Sequence, residues 1–197
     1  MNKEHSATLQ IDDSNHTHMR SALLVIDVQR GLCEGKYATF DAAGVIERIN
    51  SVAAKARAAG VPVIFIQHDS ADGVLDLGSE GWQLARGLEA LTGDLYLRKQ
   101  ATDSFHRTEL QALLQSMGVT ELVICGMQSE FCVDTTTRRA LALGYPVLLV
   151  ADGHTTLDNG ILTAEQISKH HTLTLSHIDS FGVQVQAVTA SEVTFEA

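Results

Sequence analysis

The stretch that most constrains the fold of this chain is ELVICGMQSEFCVDTTTRRA, residues 121–140. Its apolar beginning is typical of a buried strand, which Gly126 is predicted to end. A short loop then leads into a helix whose first turn contains Cys132. Backbone N–H groups at the start of a helix are unpaired and the helix dipole is positive there, so we expect this position to favour the thiolate form of Cys132. A nucleophile at such a strand–turn–helix junction is a recurrent arrangement in α/β proteins.

Other short apolar runs alternate with helical patterns along the chain. Runs that are continuously apolar, rather than alternating, predict strands covered on both faces. The pattern therefore predicts an α/β fold: a single domain of three αβα layers around a mostly parallel, six-stranded, Rossmann-like sheet. Segment 70–93 is predicted to be a long loop or lid with room for one short helix. The predicted strands are 21–27, 61–67, 94–98, 122–125, 146–152 and 183–188, and the predicted helices are 42–59, 108–117, the one that follows Glu130, and 163–172.

The beginning of the chain differs in character from the rest. Residues 1–19 are polar and non-periodic, and we predict that they form a flexible tail in front of one domain, residues 20–197. His5, His16 and His18 lie in this tail, and a metal site there is the more remote interpretation. A hydrophobic content of 45% and only two prolines suit one domain with a substantial core.

Charge and cysteine content limit the partners that we expect. The chain carries 14 Lys and Arg against 24 Asp and Glu, a formal net charge of −10, which disfavours nucleic acid and anionic membranes as partners. No apolar run approaches the roughly 20 residues needed to cross a bilayer, and no signal-peptide pattern is present. The three cysteines have neither metal-type nor disulfide-framework spacing. These features predict a soluble protein of the reducing cytoplasm.

Three reactive side chains lie at or just after predicted strand ends, namely Asp27, Lys99 and Cys132. In a parallel sheet such ends meet at one edge. A nearby lysine stabilises a thiolate, and a nearby aspartate can take the thiol proton and transfer it to a leaving nitrogen. Taken singly, each residue has a simpler interpretation: Asp27 could cap a turn, Lys99 could be a solvated charge and Cys132 could be a small core residue.

The motif G-x-x-S-x-x-C-V at residues 126–133, with Thr136 and Ala140 beyond it, resembles the active-site segment of the isochorismatase-like cysteine hydrolases. That superfamily includes nicotinamidases, N-carbamoylsarcosine amidase, biuret and ureidoacrylate amidohydrolases, and isochorismatase itself. The resemblance covers nearly all of the chain after the tail. It extends to LLVIDVQRG at 23–31, RKQATDSF at 98–105 and GYPVLLVADGHTT at 144–156.

The resemblance implies a role for each matched residue. It makes Asp27 the catalytic aspartate, Lys99 the catalytic lysine and Cys132 the nucleophile. It also implies a cis peptide bond between Met127 and Gln128, and an oxyanion hole formed by the backbone N–H groups of Gln128 and Cys132. The implied reaction is hydrolysis of a C–N bond in a small amide, ureido or carbamoyl compound through a thioester, without a cofactor. Members are usually dimeric or larger, so we expect a homo-oligomer.

Five further residues are candidates for binding the substrate. Gln29 could contact the substrate or stabilise its own turn. Trp82 could close over the substrate, or belong to the core or a subunit interface. Phe105 matches a family phenylalanine near the pocket, or anchors its helix, and Phe131 is a candidate pocket wall. His68 is expected to line the pocket or to form a hydrogen bond.

Departures from the family pattern limit the substrate. Nicotinamidases have an Asp-x-His metal motif where this chain reads Gln67-His68-Asp69-Ser70, so the resemblance implies no metal site and makes nicotinamide an unfavourable substrate. Isochorismatases proper hydrolyse a vinyl ether and often lack the cysteine, so Cys132 favours C–N hydrolysis. Vinyl-ether hydrolysis and a catalytically silent binding protein are the alternatives. A dinucleotide-binding oxidoreductase is disfavoured because the first predicted strand is not followed by G-x-G-x-x-G.

Overall fold

The computed structural model describes residues 20–71 and 73–195; the predicted tail and its three histidines lie outside them. None of the helices in these two ranges is long and apolar enough to cross a membrane. A five-residue π-helical turn, Ser129–Val133, precedes the fourth helix. The strands are β1 (Ser21–Ile26), β2 (Val63–His68), β3 (Leu95–Lys99), β4 (Glu121–Met127), β5 (Val147–Thr155) and β6 (Val185–Val188). The helices are α1 (Arg30–Cys33), α2 (Ala42–Ala58), α3 (Leu110–Ser116), α4 (Asp134–Ala142) and α5 (Ala164–Ser176).

All six strands are parallel and form one sheet in the order β3-β2-β1-β4-β5-β6. This confirms the predicted α/β fold. The chain builds the sheet outward from β1 to β3, then returns to the middle and builds outward from β4 to β6. Ligands of such sheets bind where the direction of winding reverses, beyond the carboxyl ends of the two central strands. Asp27 follows β1 and Cys132 follows β4, so both lie at that place.

The core consists of two apolar layers, one on each face of the sheet. Alternate residues of β1 serve the two layers: Leu24 packs with α3, α4 and α5, and Leu23 packs with α2. The predicted apolar stripe of α2 is buried, including Ile49 and Val52, neither of which is exposed to solvent. Burying one such side chain stabilises a fold by about 1.5–3 kcal/mol. These contacts hold the sheet edge rigidly enough to position side chains there.

The predicted end of the fourth strand was wrong. β4 does not stop at Gly126 but continues to Met127. Gly126 has a φ of 123°, and a Cβ atom there would lie 2.0 Å from the carbonyl oxygen of Ile26. The glycine is therefore required by the close approach of β1 and β4.

The segment predicted as a lid, 70–93, contains no helix among its described residues. Part of it lies against the chain that follows Asp27. The N–H of Arg30 donates to Gln83 O at 2.9 Å, and the N–H of Ala85 donates to Val28 O at 2.9 Å. These backbone hydrogen bonds make residues 81–85 a fixed strap beside the carboxyl end of β1. The short helix α1, which the sequence did not reveal, lies under this strap.

Candidate active site

The structure brings Asp27, Lys99 and Cys132 into direct contact. The Lys99 Nζ donates to Asp27 Oδ2 at 2.7 Å and to Cys132 Sγ at 3.1 Å. All three side chains are buried, and those of Lys99 and Asp27 are 0% and 1% exposed. Asp27 and Cys132, which are 105 positions apart in sequence, thus form one polar cluster with Lys99 in the apolar interior.

Lys99 reaches this cluster from a distance, because β3 and β1 are separated by β2. Neighbouring strands are about 4.8 Å apart, so the lysine side chain must bridge a gap of roughly 10 Å together with its partner. His68 ends β2 and pairs in register with Lys99. Its Nδ1 lies 3.0 Å from the Lys99 Nζ, and the carbonyl oxygen of Ala101 accepts from the same ammonium at 3.1 Å. The prediction that His68 forms a hydrogen bond is confirmed.

The donor atoms of Asp27, His68 and Cys132 lie within 4.8 Å of one another, a grouping that could hold a metal ion. Carboxylate, imidazole and thiolate are also the ligands that zinc prefers. In this structure the ammonium of Lys99 is hydrogen-bonded to all three groups. The positive charge at the centre of the cluster is therefore that of Lys99.

The protonation of Cys132 differs from the expectation drawn from its place at the start of a helix. Burial raises the pKa of the Cys132 thiol well above its ordinary value, and the negative charge of Asp27 raises it further, while Lys99 acts in the opposite direction. The expected preference for the thiolate was therefore wrong for the unliganded site. Removal from water outweighs the field of a single π-helical turn, since desolvation disfavours the charged form.

The charge of Lys99 is secured by its neighbours. Burial by itself lowers the pKa of Lys99, but the electrostatic and hydrogen-bond contributions of Asp27 and Cys132 outweigh burial, so the net shift is upward. The ammonium therefore persists in a site where an isolated lysine would lose its proton. The resting cluster is best described as a carboxylate, an ammonium and a thiol.

Asp27 is held in an uncommon backbone conformation, with a φ of 52°. Its N–H donates to Ile66 O at 2.8 Å and its own carbonyl accepts from the N–H of Gln29 at 2.8 Å. Its side-chain Oδ1 is buried and accepts no hydrogen bond within the described ranges. One carboxylate oxygen is thus occupied by Lys99 and the other is available to a proton donor such as the Cys132 thiol.

The turn that carries Cys132 is organised around Gln128. The carbonyl of Gln128 accepts from the N–H groups of Phe131, at 3.1 Å, and Val133, at 3.2 Å. The peptide bond between Met127 and Gln128 is cis. The N–H of Gln128 donates to no atom in the described part of the chain. This amide is therefore unsatisfied, at the beginning of the turn that presents the thiol.

Gln29 does not lie in the site as a substrate ligand. Its amide donates to the carbonyl oxygens of His68 and Trp82, both at 2.9 Å, and its Oε1 accepts from the N–H of His68 at 2.8 Å. Both amide protons are used, and the side chain is completely buried. Of the two interpretations of Gln29, the structure supports the one in which it stabilises local backbone. It fixes His68 from both sides.

The aromatic candidates are placed differently from one another. Phe131 lies next to Cys132 and is 50% exposed, so its ring is available to a ligand. Phe105 precedes α3, is buried in the core cluster that contains Cys132 and Leu110 of α3, and stacks on Tyr145, which agrees with its role as an apolar anchor beside that helix. Trp82 lines a cleft of about 520 Å³ beside β3, which Asp27, Lys99 and Cys132 do not line. The structure thus leaves Phe131 as the exposed aromatic residue beside the thiol.

Two polar residues near the thiol turn are more deeply buried than their sequence context indicated. His154 is 3% exposed and bonds to Ser129 and Thr172. Ser129 is completely buried, and its place in the 126–133 motif was the only sign of a role for it. Its hydrogen bond to His154, which lies 25 residues further along the chain, could not be predicted from either residue alone.

A family model and several known proteins match most of this chain. Residues 21–187 match the family model of the isochorismatase domain. A streptothricin hydrolase of Streptomyces noursei is 44% identical over 138 residues, which are 70% of this chain and 50% of that protein. The ureidoacrylate amidohydrolase RutB of Serratia proteamaculans (strain 568) is 31% identical over 202 residues, covering 82% of this chain and 81% of that protein.

A solved structure is similar along most of its length. The crystal structure of an isochorismatase family protein has a TM-score of 0.79 and 36% sequence identity, and the match covers 86% of this chain and 98% of that one. The chain spans only about half the length of the streptothricin hydrolases that it matches, 50% of one and 55% of another. The domain match nevertheless includes every strand of the sheet at least in part, from β1 into β6. This chain belongs to the isochorismatase family.

Proposed function

We propose that this protein is a cysteine-dependent amidohydrolase that cleaves a C–N bond of a small amide, ureido or carbamoyl compound through a thioester. The observation that carries the proposal is the contact of one buried ammonium, that of Lys99, with both the Asp27 carboxylate and the Cys132 sulfur. Such an arrangement has little value for stability, because burying a charge pair costs about as much as the pair returns. It supplies what thiol attack on a carbonyl needs, namely a base, a nucleophile and a fixed positive charge.

In the first half of the proposed reaction, the thiol of Cys132 transfers its proton to Asp27 as the sulfur attacks the substrate carbonyl carbon. A C–S bond forms and the carbonyl oxygen becomes an oxyanion. The tetrahedral adduct then collapses, the C–N bond breaks, and Asp27 returns the proton to the departing nitrogen. The raised pKa of Cys132 fits this order of events, since the thiolate is formed only as it is consumed.

In the second half, water attacks the thioester carbon and gives a proton to Asp27. The C–S bond breaks, the carboxylic or carbamic acid leaves, and the proton from Asp27 restores the Cys132 thiol. The net change is one amide plus one water to one acid plus one amine or ammonia. Throughout, the ammonium of Lys99 offsets the negative charge that moves between carboxylate and sulfur.

We assign the oxyanion-stabilising donors to the backbone N–H groups of Gln128 and Cys132. The unsatisfied N–H of Gln128 supports its part in this assignment. Because this N–H donates to no atom of the described residues, it can donate a hydrogen bond to the developing oxyanion of a substrate. Phe131, half-exposed beside the thiol, is the residue that we propose as a wall of the substrate pocket.

The names of two relatives describe hydrolases, and the name of one of them favours C–N hydrolysis. One is called a streptothricin hydrolase and the other a ureidoacrylate amidohydrolase. The second name specifies hydrolysis at a ureido nitrogen, one of the three substrate classes proposed here. We take from these relatives the class of reaction for this chain and not its substrate.

The test is a screen for ammonia or amine release over primary amides, ureido acids, carbamoyl amines and lactams. Cys132→Ala serves as the blank and Cys33→Ala as the matched control, since Cys33 is also buried and burial raises its pKa to about 12. We expect turnover in the wild type and in Cys33→Ala, and none in Cys132→Ala. Incubation with the substrate that is found should also give a covalent mass increase on the peptide containing Cys132.

Two results would count against the proposal. Full turnover in Cys132→Ala would exclude the thioester route, and turnover of a vinyl ether in that variant would instead favour the isochorismatase type of reaction. Absence of any adduct and of any turnover across the panel, with a correctly folded protein, would favour a binding protein of the same fold.

A further inference from the structure

A closed ring of hydrogen bonds lies behind the turn that carries Cys132. It contains four residues: Ser129 from the turn, His154 from β5, and Ser168 and Thr172 from α5. The three side-chain distances are 2.9 Å from Ser168 Oγ to Ser129 Oγ, 2.8 Å from Ser129 Oγ to His154 Nδ1 and 2.9 Å from His154 Nε2 to Thr172 Oγ1. Thr172 Oγ1 closes the ring by donating to the carbonyl oxygen of Ser168 at 2.9 Å.

Two observations place the protons of this ring: the carbonyl acceptor at its closure, and the burial of His154, which lowers the pKa of the imidazole and keeps it neutral. A carbonyl oxygen only accepts, so the hydroxyl proton of Thr172 must point to Ser168 O. Thr172 Oγ1 must then accept from His154, which places the imidazole proton on Nε2. A neutral imidazole with that proton accepts at Nδ1, so the hydroxyl of Ser129 donates to it, and Ser129 in turn accepts from Ser168. With His154 neutral, the hydrogen bonds of the ring therefore run in one direction, from Ser168 through Ser129, His154 and Thr172 to the Ser168 carbonyl.

The ring joins three elements at the point that matters for the proposed chemistry. Ser129 directly follows Gln128, whose N–H is one of the two proposed oxyanion donors, and lies three residues before Cys132. Ser129 is 0% exposed and His154 is 3% exposed, so the ring is shielded from competing water. A small rotation of the Ser129 backbone would turn the Gln128 peptide plane away from the substrate carbonyl.

We propose that Ser129 and His154 are positioning residues that hold the oxyanion-binding amides of Gln128 and Cys132 in place. They act through the backbone and touch neither the substrate nor the thiol. The inference rests on the proposed function, because it needs an oxyanion to stabilise. Removal of one oxyanion-hole donor in other enzymes costs roughly 100- to 1,000-fold in kcat, which sets an upper bound for the loss of a group that merely orients one.

The first experiment does not depend on turnover. Imidazole nitrogens of the histidines are observed by ¹⁵N NMR on the full chain between about pH 5 and pH 8, a range that spans the ordinary pKa of histidine. We expect His154 to be neutral with its proton on Nε2 throughout. A proton on Nδ1, or a charged ring near neutral pH, would overturn the ring as described, whether or not the protein is an amidohydrolase.

The second experiment compares variants in two assays, amide hydrolysis and alkylation of Cys132 by iodoacetamide. Alkylation displaces iodide at a CH2 carbon and forms no oxyanion, so it does not need the oxyanion-binding amides. Ser129→Ala should lower kcat about 10- to 100-fold, with KM and the alkylation rate changed less than about twofold. Ser176→Ala is the matched control: it removes a hydroxyl from the same helix that bonds to Thr172 O and not to the ring. It should leave kcat unchanged.

A pair of histidine substitutions separates positioning from general packing. In His154→Asn the amide oxygen replaces Nδ1 and can still accept from Ser129, whereas in His154→Gln the amide replaces Nε2 and can reach only Thr172. We expect the asparagine variant to retain kcat within about threefold and the glutamine variant to lose as much as Ser129→Ala. An unchanged kcat in Ser129→Ala would overturn the proposal. So would equal losses of kcat in the two histidine variants, if these losses were proportional to the decrease in Tm of each variant.

Discussion

The ammonium of Lys99 has three protons and four acceptors within 3.1 Å, namely Asp27 Oδ2, His68 Nδ1, Ala101 O and Cys132 Sγ. One acceptor must therefore share or go without a proton at any moment. A thiol sulfur is the weakest acceptor of the four, and a thiolate is a strong one. The lysine can thus shift its hydrogen bonding toward sulfur as the thiolate forms, without moving its buried side chain.

This sharing leads to a prediction for Lys99→Met. Burial and Asp27 raise the pKa of Cys132, and Lys99 partly offsets this shift. Removal of the lysine should therefore raise the pKa of Cys132 further. The rate of alkylation of Cys132 by iodoacetamide, followed by peptide mass spectrometry, should increase with pH in the wild type. In the variant the profile should shift to higher pH, with a rate at pH 8 lower by about tenfold or more, the effect of one pKa unit.

Arg98→Met provides the control for this measurement, because Arg98 is the neighbouring cation on β3 but pairs with Asp69 at the surface. Its profile should coincide with that of the wild type. Coincidence of the Lys99→Met profile with the wild type would instead show that the ammonium does not act on the thiol.

Gly126 permits a second prediction at this scale. A Cβ atom at Gly126 would lie 2.0 Å from Ile26 O, between two central strands, and its φ of 123° is in a region that other residues rarely adopt. Gly126→Ala should therefore cost more than about 4 kcal/mol of unfolding free energy, enough to prevent folding of many domains. Gly144→Ala is the matched control, with a φ of 87° and no atom near the added methyl group. It should cost only about 1–2 kcal/mol in urea denaturation, and equal losses for both variants would contradict the close approach.

Among the elements, β5 and α5 act on the thiol turn through His154. Burial lowers the pKa of His154 to about 4, and the nearby His171 adds to the shift. His171 bonds to Asp134 at 3.0 Å, and Asp134 also pairs with Arg138, so the charged groups facing this region are on α4 and α5. His154 therefore stays neutral in the folded protein at pH values where it is already protonated in the unfolded chain.

The lowered pKa of His154 makes the folded protein less stable in acid. The pKa of His154 is about 6.5 in the unfolded chain and about 4 in the folded protein. Between these values the unfolded state binds a proton that the folded state does not bind, so the free energy of unfolding falls as the pH drops from about 6.5 to about 4. The total effect is on the order of 3 kcal/mol. Urea denaturation at several pH values should show this loss in the wild type and a smaller one in His154→Asn. His106→Asn, which removes an exposed histidine, should follow the wild type; an unchanged slope in His154→Asn would contradict the assignment.

The elements were predictable where the signal is local. The strands β1, β2, β4 and β5 contain apolar runs, β3 alternates weakly, and α2 has a clear stripe ended by Gly60 and Pro62, so their positions were correct within a few residues. The errors arose where tertiary contact decides. Gly126 has the appearance of a strand end until the backbone of Ile26 is placed beside it.

The same distinction holds for the candidate site. Strand-end positions were sufficient to predict that Asp27, Lys99 and Cys132 would meet, because a parallel sheet collects such ends at one edge. The protonation of Cys132 could not be predicted, since it depends on how completely the finished fold excludes water. Nor could the role of Gln29 be settled, because its three hydrogen-bond partners belong to backbone that the sequence does not locate.

At the scale of the whole molecule, the sheet order places the reversal of winding between β1 and β4, and with it the residues that follow these two strands. Asp27 and Cys132 are brought together by this topology rather than by any local contact. Lys99 comes from the outer strand β3 and has the longest reach of the three. The buried charges of the site thus depend on the integrity of the complete sheet.

The net charge of the molecule leads to the last prediction. With 24 acidic against 14 basic side chains, the formal charge is −10, and a field of this sign attracts cationic molecules and repels anionic ones. For two amides with the same acyl group, one with a cationic and one with a neutral leaving amine, salt should therefore act differently. Raising NaCl from about 20 mM to about 300 mM should lower kcat/KM for the cationic amide several-fold and change that of the neutral amide by less than about twofold. At the higher concentration the Debye length is below about 10 Å, so the charges of the protein no longer act on a distant substrate. The neutral amide is the control for any effect of salt on the fold or the chemistry. Equal salt dependence for both amides would show that the acidic surface does not guide substrates to the site.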